Sequence, residues 1–203
     1  GGNYNTVVGD EAGTAITTGD YNVAVGKSAG ASVTTGTNNT LMGGTAGLNL
    51  TIGGENVAIG YGALYTDDVG SHSTAVGVSA LQNQNYASAT DSYNTAVGYS
   101  AGLSVTTGIY NTLIGGLAGD SLTDADYNVA LGSAALGADT LGSRSVALGY
   151  GTLSVQNFTS ATDAYNTAVG TLAGLSVTTG TINTLIGGLA GDAITTGNSN
   201  VAV

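Results

Sequence analysis

His72 is the single histidine of this chain, and Glu55 stands one sequence repeat before it. An imidazole beside a carboxylate is a common general-base arrangement, but proton transfer needs a reacting group within hydrogen-bond reach. The sequence places no nucleophile around His72, so we read His72 and Glu55 as a surface pair. The acids offer more material, with clusters at Asp10-Glu11, Asp67-Asp68 and Asp124-Asp126. Paired carboxylates can cleave a glycosidic bond, and clustered oxygens can hold calcium. The calcium-binding nonapeptide GGxGxDxUx of other β-rolls is absent. Solvated turns are therefore the expectation, with no cofactor, calcium being the one candidate. Gly26-Lys27-Ser28 is the nearest approach to a phosphate loop, and it lacks the upstream glycine spacing. No enzyme is expected.

Thirteen carboxylates against two basic residues leave a net charge of -11 over 203 residues. A nucleic-acid partner requires lysine and arginine to displace counterions from phosphate, and here only Lys27 and Arg144 are present. An anionic membrane surface is disfavoured for the same reason. No apolar run approaches the roughly 18 residues of a membrane span. Charged residues make up 7% of the chain, which is far from the high-charge composition of disordered segments.

Whatever these side chains do, a repeat positions them. The motif N-[TV]-[AVL]-[VILM]-G begins at 5, 22, 39, 56, 73, 94, 111, 128, 145, 166, 183 and 200, with serine replacing asparagine at 73 and 145. Successive starts differ by 17, except for the two steps that follow Ser73 and Ser145, which are 21. Three coils of 17 and one of 21 make a 72-residue super-repeat, giving units at 22–93, 94–165 and, in part, 166–203. Residues 94–120 and 166–192 agree at 23 of 27 positions. We treat 1–203 as one repeat domain and expect it to be a fragment of a longer fibre.

A helical repeat would show a 3.6-residue period and few glycines. Each coil instead has two β-prone runs, of the types TAV and SVTT, separated by glycine. Glycine reaches positive φ cheaply at a bend. The expectation is an all-β parallel β-solenoid, or β-roll, with 17-residue coils and two of 21. Coils stacked at ~4.8 Å would form a rod on the order of 55 Å long.

Columns then acquire meanings. Asn22, Asn39, Asn56, Asn94, Asn111, Asn128, Asn166 and Asn183 form a structural ladder, because identical stacked amides can hydrogen-bond along a rod. The second and third positions after asparagine are apolar in every copy, as at Ala24-Val25 and Leu113-Ile114. Neighbouring strand residues face opposite ways, so one apolar column fills the coil and the other must meet something else, most economically another copy of the chain. Where Leu64 and Leu136 replace glycine, Asp67 and Asp139 replace valine, which suggests conserved core volume. Tyr4, Tyr21, Tyr93, Tyr110, Tyr127 and Tyr165 share the column before the motif. Lys27 falls one coil from Asp10, and Arg144 lies near Asp126, so both are expected to pair locally. The long coils add the segments 82–93 and 155–165, carrying Tyr86, Phe158, Asp91 and Asp163. Insertions in a solenoid are natural contact sites, and these four residues are the binding candidates. A threonine column raises ice binding as a further alternative.

NVAVG at 22–26, NVAIG at 56–60 and SVALG at 145–149 resemble the head repeats of trimeric autotransporter adhesins of the YadA type. The coil as a whole is similar to repeats of phage tail-fibre proteins. The resemblance implies a left-handed β-roll, a homotrimer, and an extracellular setting on a cell surface or virion fibre. It also implies attachment to a host-surface glycan or protein. A self-assembling filament is the competing expectation.

Overall fold

The structure, a computed structural model, describes residues 2–203. Twelve copies of the motif form twelve short strands, and these make one parallel sheet in chain order. The same motif position pairs from coil to coil, so Val23, Ala24 and Val25 lie beside Thr40, Leu41 and Met42. The register survives the long coils, where Thr74 pairs with Thr95 and Val146 with Thr167. The chain is thus an all-β parallel solenoid of about 12 turns, and its described residues include no helix.

The SVTT run, expected as a second strand, is a bend. In SVTT at 32–35 the amides of Thr34 and Gly36 both donate to the one carbonyl of Thr51, at 2.9 and 3.3 Å. In the first coil, where the run reads AITT, Thr17, Thr18 and Gly19 all donate to the carbonyl of Thr34, at 3.0, 3.2 and 3.1 Å. The chain curls around that oxygen instead of running straight beside its neighbour. The threonine hydroxyls join in, with Thr51 Oγ1 donating to the Asp68 carbonyl at 2.9 Å. Extra strands occur only where coils lengthen: Gly70–Ser71 pairs with Thr90–Asp91, and Gly142–Ser143 with Thr162–Asp163.

Two kinds of position turn the chain. The motif glycine must be glycine: at Gly115, φ is +135°, and an added Cβ would stand 2.6 Å from the carbonyl carbon and oxygen of Gly132 in the next coil. The residue before the motif also takes positive φ, yet carries a side chain, as at Tyr21 (58°), Glu55 (60°) and Tyr127 (59°). That conformation costs about 1–2 kcal/mol per residue. An inter-coil hydrogen bond opposes the cost, for example from Tyr21 N to the Asn3 carbonyl at 3.0 Å.

Inside, large and small residues alternate between two columns. Where Leu113 occupies the second motif position, glycine stands opposite, and Leu113 Cδ2 would meet a Cβ on Gly119 at 2.8 Å. Where that position shrinks to Ala58, Ala75, Ala130 or Ala147, the glycine becomes Leu64, Leu81, Leu136 or Leu153, all fully buried. The coil with Ala96 keeps its glycine, and leucines of both neighbouring coils fill it: Leu81 and Leu113 would meet a Cβ on Gly102 at 2.9 and 2.8 Å. Core volume is therefore conserved across these two columns, a closer trade than the expected exchange of leucine against valine. Asp67 and Asp139 also differ from expectation: they are buried and do not lie on solvated turns.

Gly115→Ala should lower the free energy of unfolding by about 1–3 kcal/mol, the scale of a residue forced into a sparsely populated backbone region. Urea denaturation followed by far-UV circular dichroism reads this; an unchanged midpoint would contradict the close coil-to-coil contact.

Candidate functional site: the ladder, the long coils and the outward columns

The asparagine column closes each coil as well as stacking it. Asn22 Nδ2 donates to the Gly36 carbonyl at 2.9 Å, joining the beginning of a coil to its end. Asn22 Oδ1 accepts from the backbone N–H of Asn39 at 3.0 Å in the next coil. Asn39, Asn56, Asn111, Asn128 and Asn183 repeat both contacts, and all are buried. At Asn94 and Asn166 the amide also donates to a glutamine, Gln84 or Gln156, at 2.9 and 2.8 Å.

Those glutamines repair the ladder where serine interrupts it. Gln84 Nε2 donates to Ser73 Oγ at 2.7 Å and to Asp67 Oδ2 at 2.6 Å. Gln156 Nε2 does the same to Ser145 Oγ at 3.1 Å and to Asp139 Oδ2 at 2.5 Å. Asp67 Oδ1 in turn accepts from Gly70 N at 2.9 Å. Burial pushes both aspartates above the usual carboxylate value of 3.8, against the lowering effect of the glutamine hydrogen bonds. Asp120, less deeply placed, is raised for the same reason. Sequence reasoning missed Gln84 and Gln156. The available signal was an acid and an amide in adjacent coils, in a column that elsewhere holds Val33 or Val105, recurring in the next super-repeat.

Tyr86 and Phe158 face inward, which corrects their expected role as surface contacts; they are 6% and 5% exposed. Tyr86 OH donates to the Gly108 carbonyl at 2.9 Å, and burial pushes its phenol well above the ordinary range. Ser92 accompanies Tyr86 and bonds to Ser73, their hydroxyl oxygens 2.5 Å apart. In the next super-repeat both polar groups vanish together, as Phe158 and Ala164. The long coils present Ala87-Ser88-Ala89 and Thr159-Ser160-Ala161 to solvent at their tips, with Asn83, Asn85, Val155 and Asn157 exposed before them.

Asp91 and Asp163 are exposed but already engaged. His72 lies 3.2 Å from Asp91 Oδ1 and 3.2 Å from Glu55 Oε2, which realises the expected Glu55 pair and adds a second acid. Arg144 Nε reaches Asp163 Oδ1 at 3.0 Å, and Asp126 only receives the Arg144 backbone N–H. Lys27 forms no ion pair among the described residues. The same column stacks its rings. His72, Tyr93, Tyr110 and Tyr127 follow one another with centroids 4.9, 5.3 and 5.0 Å apart. Arg144 then sits over Tyr127 at 4.7 Å and Tyr165 at 5.9 Å. His72 and Arg144 thus fill the places in this run where tyrosine is missing. Ring faces are turned towards each other along the rod, so the run offers edges to solvent, not the flat faces a sugar ring would stack on.

The outward apolar column is the largest unsatisfied feature. Ala58 and Leu113 face the core, while the third motif position faces out, with Met42, Leu131 and Ile186 at 40%, 44% and 43% exposure. Among the described residues there is no pocket and no grouping of three histidine or acidic side chains that could hold a metal. Asp124 and Asp126 accept hydrogen bonds from Thr107 and Ile109 of the preceding coil. No family model, curated protein or solved structure matches this chain.

Two outcomes follow. Phe158→Ala should destabilise the fold by about 3–5 kcal/mol, as for other buried aromatic residues; a surface residue would leave the denaturation midpoint unchanged. For Asp67 and Asp139, a folded-state pKa above 3.8 means that folding favours the protonated form. Stability should therefore fall as pH rises from 3.8 through the raised values. Thermal melts between pH 4 and 7 at about 1 M salt, where surface repulsion is screened, should show this decline. A melting temperature that rises over that interval would refute it.

Proposed function

We propose that the chain is a rod segment of an extracellular fibre, built to associate with further copies of itself, as a homotrimer. The carrying observation is the outward aliphatic column: Val25, Met42, Ile59, Val76, Val97, Ile114, Leu131, Leu148, Val169 and Ile186 occupy the same place in successive coils. The stripe is continuous, half-buried at residues such as Val25 and Ile114 and exposed at Met42, Ile59, Leu131 and Ile186, and a large uncovered apolar stripe marks an interface. A closed ring of identical chains covers such a stripe with the same stripe on its neighbours. Low positive charge and the resemblance to adhesin heads and tail-fibre repeats support the extracellular setting. In that setting the segment acts mechanically, as a stiff spacer. Its long coils recur once per super-repeat and would be displayed by each of three chains, so weak contacts with a host glycan or protein would add through multivalency.

Less favours the other readings. Threonine hydroxyls such as those of Thr34 and Thr178 donate to carbonyls of the next coil, which leaves less for ordering ice. The one imidazole, His72, is already held between two acids.

Sedimentation equilibrium tests the proposal: the mass should be three times that of the 19.6 kDa chain. Ile59→Lys combined with Leu131→Lys should dissociate the assembly while retaining the β spectrum, since both side chains are outward. A wild-type monomer, or a double variant of unchanged mass, would end the proposal.

A further inference from the structure

Asp68 breaks the threonine column. The coils before it carry Thr17, Thr34 and Thr51 at this place, and the super-repeat equivalent of Asp68 is Thr140. Thr140 Oγ1 donates to the Phe158 carbonyl at 2.8 Å and to Asn157 Oδ1 at 3.0 Å. Two oxygens therefore converge on one hydroxyl proton. Asp68 has no such proton to offer as a carboxylate, and its Oδ1 is buried without any hydrogen-bond partner.

The surroundings of the two positions correspond. Residues 85 and 157 are both asparagine, and residues 86 and 158 are Tyr86 and Phe158. Asn85 N donates to Thr106 O and Asn157 N to Thr178 O, both at 2.9 Å, so the backbone follows one course at this residue; one residue on, Phe158 N donates to Asp139 Oδ1 at 3.2 Å, a bond without a counterpart at Tyr86. Gln84 and Gln156 hold Asp67 and Asp139 in the same way one residue earlier. By that correspondence the Tyr86 carbonyl and the Asn85 side-chain oxygen would stand where the Thr140 hydroxyl finds its acceptors. Around Asp68 the one side-chain donor would be the Asn85 amide nitrogen, and Asp68 Oδ1 receives no hydrogen bond from it.

We infer that Asp68, the Tyr86 carbonyl and the Asn85 side-chain oxygen form a calcium site, present in the 22–93 unit and replaced by a hydroxyl in the 94–165 unit. The chemistry follows from the donor set. A buried carboxylate oxygen facing further oxygens is unfavourable unless a donor or cation meets it. One carboxylate, a carbonyl and an amide oxygen are hard ligands of the kind calcium takes in irregular geometry, water completing the shell. Magnesium demands stricter octahedral geometry and sheds water reluctantly, so it is disfavoured. The site would fasten the long coil to the coil below it, as Thr140 does by hydrogen bonding.

The test compares the wild-type chain with Asp68→Thr, which installs the residue found at the equivalent position. Thermal melts are recorded in EDTA, in calcium chloride and in magnesium chloride, with calorimetric titration of calcium. Calcium should raise the wild-type melting temperature saturably, by about 3–6 °C at ten times its Kd. Magnesium should have a smaller effect. Asp68→Thr should fold with a melting temperature in EDTA at least equal to that of the wild type, and should lose the calcium shift. Asn85→Ala should weaken the calcium response while retaining the fold. Three results would each overturn the assignment: no wild-type shift, an equal shift in Asp68→Thr from diffuse binding to the acidic surface, or a magnesium effect as large as that of calcium.

Discussion

Everything in this molecule depends on a coil being able to close and then stack on an equivalent coil. One amide side chain serves both ends. Its N–H reaches across to the carbonyl that finishes its own coil, and its oxygen takes the backbone N–H that starts the next. A side chain that could do only one of these would leave either an open loop or an unpaired amide in the interior, where an unmet polar group costs about 1–3 kcal/mol. Asparagine has the reach and both kinds of atom. That constraint explains why most coils keep one length and why a longer coil needs a second amide from elsewhere.

The long coils show how the constraint is met when the chain departs from it. Serine at 73 and 145 cannot span the coil, and Gln84 and Gln156 approach from the opposite wall to supply the missing nitrogen and oxygen. The glutamine nitrogen also needs an acceptor, and a buried aspartate provides it. A polar cluster inside a small apolar core is tolerable only when its members satisfy one another. The same two coils keep their volume by exchanging leucine and glycine for alanine and leucine. Length, polarity and packing thus change together, which is why the alteration recurs as a unit in the next super-repeat.

Much of this architecture was legible because a repeated sequence fixes coil length and column membership without any structural information. The parallel stack, the asparagine column and the split of Leu113 and Ile114 to opposite faces all follow from position within the motif. Less legible was anything that depends on how a coil bends. SVTT has strong strand propensity, yet two amides converging on one carbonyl bend it, and propensity contains no information about that geometry. Tyr86 and Phe158 seemed available for contact because insertions commonly protrude. The aromatic ring is instead what the widened coil uses to fill itself, while small residues form the outer tip. The acidic pair at 67–68 misled in a similar way, since Asp67 turns inward onto Gln84 and Asp68 Oδ1 is itself buried.

The aromatic run has an optical consequence. The chain contains no tryptophan, so its near-ultraviolet emission comes from tyrosine alone. Tyr93, Tyr110 and Tyr127 lie face to face, with centroids 5.3 and 5.0 Å apart. Excitation on one ring can pass to the next before it is emitted, between ring planes only 15° and 3° apart. Separation of the coils ends that exchange. A change in native tyrosine emission therefore reports whether neighbouring turns are still in register, with no label attached.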